Sequence, residues 1–407
     1  MKSRVLGGPG FGRVRDRSSA DGAPASSRPT TSHNPVPGPV PGMAAGRPMP
    51  KGVVGETTAP AWAERTRWGS VLIATVLAVV AICLLCAGIG SVYIPPMTVL
   101  QIMLSRLPFV AMHVDWPRTA QTILFDIRLP RVALVALTGA TLGTSGTAYQ
   151  GLFRNPLADP YLIGVAAGAG LGAIGVIVLQ VNTPALNNPY AVPAGAFVSA
   201  LLTVFVVYQL ARVAGATPTT TLILAAVAVN ALASAVTTFA LLSIGNQTGR
   251  VLAFLLGGYG GAGWNSVRAV VPFAVVGFAL LYAFARPLNL LLFDEEQATQ
   301  LGIPVERVKL VVVVGATMMT AAAVSFSGLI GFVGLIVPHA ARLLVGPDHR
   351  RLIPLTALGG AGFLLLADLV ARTVIAPQEL PLGIVTAFTG APFFLYLLRR
   401  AKHATFF

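Results

Sequence analysis

The chain has 407 residues, 55% of them hydrophobic and only 10% charged, and its mean hydropathy is +0.76. Soluble domains carry about 25% charged residues, so this composition excludes a water-soluble globule and points to a chain that lives in lipid. The net charge of +14 does not indicate nucleic acid, because the basic residues fall in the first 68 positions or in short gaps between apolar runs; that placement fits loops and a tail beside an anionic membrane surface.

Residues 1–68 are rich in Gly, Pro, Ser and Arg, as in Ser32-His33-Asn34-Pro35-Val36-Pro37-Gly38-Pro39. Such a stretch has too little apolar surface to fold, and a disordered cytoplasmic tail is expected. No apolar core lies near Met1, so a signal peptide is not expected. A second explanation is a mis-assigned start, with translation beginning at Met43 or Met49. Residues 69–407 form the expected transmembrane domain.

Ten apolar runs follow, over 69–90, 130–152, 161–180, 190–211, 221–243, 267–285, 308–326, 328–344, 354–370 and 381–398. A spanning helix needs about 20 apolar residues, range about 17–25. The expectation is an all-α polytopic bundle of about ten transmembrane helices, its shorter runs sheltered among the others. Many runs are rich in small residues, as in Gly139-Ala140-Thr141-Leu142-Gly143-Thr144-Ser145-Gly146, which lets helix backbones approach closely. Cys83 and Cys86 share one apolar run and are read as packing residues. The five histidines are dispersed, so no metal site is expected.

An even number of spans places both termini on one side. With the N-terminus inside, the inner loops hold Arg154, Arg212, Arg286, Arg307, Lys309, Arg342, Arg350, Arg351, Arg399, Arg400 and Lys402. The outer loops hold Arg106, Arg118, Arg128, Arg131, Arg250, Arg268 and Arg372. The positive-inside rule therefore gives cytoplasmic N- and C-termini.

The chemistry that is missing also narrows the function. The four lysines, Lys2, Lys51, Lys309 and Lys402, complete no GxxxxGK[ST] phosphate loop. No catalytic residue or bound cofactor is expected. Asp368 is the one ionisable side chain well inside a run, and Arg372 at i+4 offers it a local ion pair. That is too little for a proton relay, which disfavours an ATP-independent secondary transporter. A membrane enzyme would need a metal or nucleophile cluster that is not present. Energy is expected from another subunit.

Three loops carry candidate roles. In Arg212–Thr221, Thr219 and Thr220 follow Pro218 and are read either as lining a narrow polar constriction or as capping a helix. In Leu255–Trp264, the glycines allow tight turns, and Tyr259 and Trp264 are read as interfacial anchors. In Arg286–Val308, Asp294 is placed to cap a short helix with Glu295 and Glu296 in its first turn, and Gly302 and Pro304 are placed to stop it.

Four motifs occur in order from residue 70 to the end. The first is Arg128-Leu129-Pro130-Arg131, running on to Gly151-Leu152-Phe153-Arg154-Asn155-Pro156-Leu157-Ala158-Asp159-Pro160. The second is Leu301-Gly302-Ile303-Pro304. The third is Gly331-Phe332-Val333-Gly334-Leu335-Ile336-Val337-Pro338-His339. The fourth is Ala367-Asp368-Leu369-Val370-Ala371-Arg372 with Glu379-Leu380-Pro381-Leu382-Gly383-Ile384-Val385-Thr386 and Gly390-Ala391-Pro392. On these motifs the chain resembles the permease family of bacterial iron–siderophore, haem and vitamin B12 ABC importers. The tail before residue 70 has no counterpart in the family pattern.

The resemblance implies a type II importer permease in the bacterial inner membrane. It would pair with a second permease, identical or paralogous, with two ATPase subunits, and with a periplasmic or lipid-anchored binding protein. It also implies roles for residues. Arg128, Arg131 and Arg372 would dock carboxylates on the binding protein, a task suited to directional guanidinium pairs. Asp294, Glu295, Glu296, Gln297, Ala298, Leu301 and Gly302 would form the coupling helix that meets the ATPase. Thr219 and Thr220 would belong to a cytoplasmic gate, and the 255–264 region would form a short helix near the outer mouth. By family frequency the expected cargo is a ferric siderophore, with vitamin B12 and haem as alternatives.

Overall fold

Lipid offers no hydrogen bonds to a bare backbone, so apolar runs become helices. The computed structural model describes residues 61–90, 92–106, 116–181, 183–293 and 295–404. Of the expected disordered tail over 1–68, residues 1–60, which include both alternative starts, lie outside the described residues, as does the Asp294 cap, whereas residues 61–68 are helical and open the first helix of the bundle. Each of the ten apolar runs is a helix: α1 (Ala61–Gly88), α2 (Leu129–Leu152), α3 (Val165–Gln180), α4 (Ala191–Ala211), α5 (Thr219–Ser243), α6 (Trp264–Ala283), α7 (Val305–Ser327), α8 (Val333–Val345), α9 (His349–Thr373) and α10 (Leu382–Ala404). Among the described residues the only β pairing is an isolated bridge between Val213 and Ala216. By length and composition α1, α4, α5, α6, α7 and α9 can each cross a membrane; α3, α8 and part of α10 are shorter apolar helices.

The centre of the bundle is α2, flanked by α7 and α9. The small residues of α2 explain that position. A methyl group on Gly139 would collide with Gly360 O on α9, and one on Gly146 with Gly334 O on α8. Backbones this close leave room only for Gly at the crossing. Hydroxyl pairs add polar ties inside the apolar interior. Thr147 on α2 bonds Thr356 on α9 at 2.9 Å, and Tyr149 shares a 2.9 Å bond with Thr317 on α7. Tyr149, near the end of α2, thus meets the middle of α7.

Three stretches differ from their sequence reading. The run starting at 130 has Pro130 in the first turn of α2, but helical structure begins before the run: a helix runs from Arg118, and a π-helical segment over Ile123–Arg128 feeds α2. The widened turn loosens the hydrogen-bond ladder just where proline removes a donor. The segment from Ala285 to Leu291 is a helix rather than a loop, because Leu288 and Leu291 are buried. The short helix expected over 255–264 instead spans Thr248–Leu256, and Gly257, at φ +72°, ends it.

The four motifs are joints between segments. Phe332 starts α8 with φ +70°, and its ring fills the space that a side chain at Gly390 would need. Tyr161 donates to Ile330 O at 3.0 Å, and Pro160 lies against Gly334. Leu382 N donates to Gly257 O at 3.0 Å, which ties the 379–383 turn to the end of the Thr248–Leu256 helix.

Candidate functional sites at the two ends of the bundle

One end carries the arginines. Asp368 on α9 is 1% exposed, and a carboxylate so deep needs compensation. Arg131, in the first turn of α2, donates to Asp368 Oδ1 from Nε at 3.2 Å and from Nη2 at 2.9 Å. Arg372 Nε stands 2.9 Å from Asp368 Oδ2, an ion pair whose angle falls short of a hydrogen bond. The i, i+4 pair expected from sequence is therefore present, and a third residue joins it. Arg131 also clasps Glu379 in a bidentate pair, at 2.9 Å from Nη1 and 2.8 Å from Nη2. Glu379 was missed as a partner because the two lie far apart in sequence.

Arg128 and Arg372 have a second task. α1 ends at Gly88, leaving carbonyls that no helical N–H can reach. Arg128 Nη1 donates to Ala87 O at 2.7 Å and to Gly88 O at 2.8 Å, and its Nη2 donates to Val92 O. Arg372 Nη1 reaches Ile89 O at 3.2 Å. Two cations thus cap the negative end of α1. Arg128 is buried, and its guanidinium is committed to these carbonyls; Arg131, wedged between an internal and an exposed carboxylate, is nearer the surface. Close by, a cavity of about 440 Å³ opens between Arg250, Tyr259, Ser327 and Glu379. Tyr259 is 4% exposed and so is not an interfacial anchor. Trp264 is exposed and donates from Nε1 to Phe125 O at 2.8 Å.

The opposite end is organised by Lys309, which the sequence reading treated only as a loop charge. Lys309 is buried near the start of α7, and its Nζ donates to Glu295 Oε2 at 2.6 Å, Thr217 O at 3.0 Å and Glu306 Oε1 at 3.2 Å. Glu306 Oε2 accepts from Thr217 N at 3.1 Å and from the Thr217 hydroxyl. The 212–218 turn, the Glu295–Gln300 helix and α7 therefore close on one ammonium group.

The Glu295–Gln300 helix forms where the acids favour its first turn, and Gly302, at φ +80°, stops it. Ala298 is its buried contact. Glu296, Gln297, Leu301 and Gly302 are exposed, whereas Glu295 turns inward to Lys309. Phe293 at 74% and Leu301 at 69% exposure flank the helix as apolar knobs. Thr219 begins α5 and makes a long 3.4 Å bond to Glu295 Oε1, and Thr220 is exposed. Neither caps the helix, whose N-cap is Pro218 with no side-chain bond. Thr217, outside the sequence-based set, is the buried member of this turn.

A bundle with small-residue crossings, a ring of guanidinium–carboxylate pairs at one end and a short exposed helix at the other is a polytopic transport-type membrane protein. Comparison with known proteins defines it further: the chain matches the FecCD transport family over residues 67–400 and belongs to it. It is 50% identical over 283 residues to the cobalamin import system permease protein BtuC of Halobacterium salinarum, covering 70% of this chain and 75% of that one. It is 40% identical over 285 residues to the hemin transport system permease protein HmuU of Yersinia pestis, covering 69% and 84%. Among solved structures, one described as a metal-chelate type ABC transporter in an inward-facing conformation aligns with TM-score 0.71 and 28% identity, over 82% of this chain and 99% of that one. The chain is thus similar to permease subunits of metal-chelate, haem and B12 importers.

Proposed function

We propose that this protein is the permease subunit of an ATP-driven importer that passes a metal chelate, a cobalamin-type corrinoid, from a binding protein into the cytoplasm. The cargo rests on one observation, the 50% identity to a protein named as a cobalamin permease against 40% to one named for hemin. That shifts the preferred cargo from the ferric siderophore expected by family frequency.

In this reading the Lys309 end is cytoplasmic, in keeping with its excess of basic residues. The exposed face of Glu295–Gln300, with Phe293 and Leu301, meets an ATPase subunit that supplies the energy. The arginine end receives the binding protein, with Arg131 as the member nearest the surface and Arg128 and Arg372 shaping the platform beneath it. A second permease completes the pathway, and Thr219 and Thr220 stand at its inner opening.

The test is co-purification with the binding protein and identification of its bound ligand by mass spectrometry. A corrinoid is expected, and vesicles containing the assembled transporter should take it up only with ATP. A ferric siderophore or haem in the binding protein would overturn the cargo and leave the permease. Uptake without ATP would overturn the importer itself.

A further inference from the structure

Glu379 is the exposed carboxylate of the arginine cluster, with 47% of its side chain open to water against 1% for Asp368. The two acids divide the guanidinium of Arg131 between them. Asp368 Oδ1 takes its Nε and Nη2 edge, and Glu379 takes its Nη1 and Nη2 end as a forked pair. A guanidinium has five N–H donors. These contacts use four of them and leave a single N–H on Nη1. While Glu379 stays, a further carboxylate cannot grip Arg131 in the forked geometry that makes such pairs strong and directional. The neighbouring arginines offer no substitute. Arg128 is committed to the carbonyls at the end of α1, and Arg372 to Asp368 and Ile89 O.

The two contacts of Arg131 differ in permanence. A buried pair is costly to break, so Asp368 stays. An ion pair open to water adds little to stability, so Glu379 can give way to another carboxylate. It also sits on the short turn between α9 and α10, not within a helix. Glu379, Leu380 and Pro381 of that turn wall the cavity of about 440 Å³. Two backbone bonds hold the turn besides the Arg131 clasp. Leu380 N donates to Ala371 O at 2.9 Å, and Leu382 N donates to Gly257 O at 3.0 Å. Release of Glu379 removes the clasp and leaves these bonds as the remaining ties.

We propose that Glu379 is an internal stand-in for a partner's carboxylate, on the reading that this end receives the binding protein. It occupies Arg131 in the undocked permease, and an acidic side chain of the binding protein displaces it. Docking then exchanges one pair for another, and Asp368 keeps both of its cations throughout. Glu379 retakes Arg131 when the partner leaves, which makes docking reversible. The freed turn is a wall of the cavity, so arrival of the partner loosens the outer mouth.

The test measures the affinity of the binding protein for the transporter assembled from the full chain in lipid nanodiscs. Glu379→Gln keeps the size of the side chain and removes the competing charge. It should melt like the parent and tighten docking about fivefold, the worth of one exposed ion pair. Arg131→Ala should weaken docking. A swap variant, Gln378→Glu with Glu379→Gln, keeps a carboxylate on the turn one position away from the clasp, and Gln378 is exposed. It should dock as tightly as Glu379→Gln alone. Parent affinity in the swap variant would mean that a charge on the turn simply repels an acidic partner, and overturns the stand-in. Unchanged or weaker docking in Glu379→Gln, with poor docking in Arg131→Ala, overturns the stand-in and leaves the docking platform. Unchanged affinity in both Glu379→Gln and Arg131→Ala overturns the platform and the stand-in with it.

Discussion

Lys309 Nζ lies 2.6 Å from Glu295 Oε2, which fastens the short Glu295–Gln300 helix to the buried start of α7. The same ammonium holds Thr217 O, so a displacement of the short helix reaches the turn before α5 through one side chain. If a partner subunit pushes on this helix, Lys309 is the part that transmits the push.

Replacing Lys309 with Met should therefore loosen the helix without unfolding the bundle. Breaking a buried ion pair costs about 3–5 kcal/mol. Glu295 and Glu306 are 33% and 38% exposed and recover part of that in water, so a net loss of roughly 1–2 kcal/mol is expected. Hydrogen exchange should quicken over residues 295–302 and 212–218 together. Unchanged exchange in either stretch would show that Lys309 does not join them.

Arg128 and Arg131 should separate in their effects despite sitting three residues apart. Arg128→Ala leaves the carbonyls of Ala87, Gly88 and Val92 without their charged donor, a loss of about 3 kcal/mol that melting in detergent should register. Arg131→Ala leaves Asp368 paired with Arg372 and frees the exposed Glu379. It should retain most of the fold and, if this end receives a binding protein, weaken that protein's affinity. Equal melting temperatures for the two variants would contradict the capping role of Arg128.

These ends also mark what the sequence could convey. Apolar runs of 17–23 residues made every long helix legible, and the i, i+4 spacing exposed the Asp368–Arg372 pair. Glu379 and Lys309 stayed hidden because their partners are brought together by helix packing, not by spacing. Tyr259 was misplaced because an aromatic near a predicted loop looks interfacial until Gly257 is seen to fold that loop back onto the bundle. The Thr248–Leu256 helix was displaced by a few residues because its glycine-rich flank resembled the element rather than its end.

Gly139 and Gly146 should be intolerant of the smallest substitution. A Cβ at either position meets a backbone carbonyl of a neighbouring helix, and backbone cannot step aside. Overpacking of this kind costs about 1–3 kcal/mol, and each alanine variant should give less folded protein after detergent extraction. Gly175 on α3 is the control, with nothing within 4 Å of the added methyl. Gly175→Ala should be neutral or slightly stabilising, because alanine is the better helix former. Equal yields from all three would mean that the α2 crossings are looser than described.

The exposed side of the Glu295–Gln300 helix makes the last separation. Ala298 points inward, and Glu296, Gln297 and Leu301 point out. Ala298→Asp buries an unpaired charge and should detach the helix, lowering stability and transport together. Leu301→Ser and Glu296→Lys disturb no internal bond described for this helix, so melting should stay within about 0.5 kcal/mol of the parent. If the helix is the attachment point for an ATPase, these two variants should still reduce the stimulation of ATP hydrolysis by loaded binding protein. Normal stimulation in both, with normal assembly, would move the attachment elsewhere on this end of the bundle and leave the Lys309 cluster as a purely internal tie.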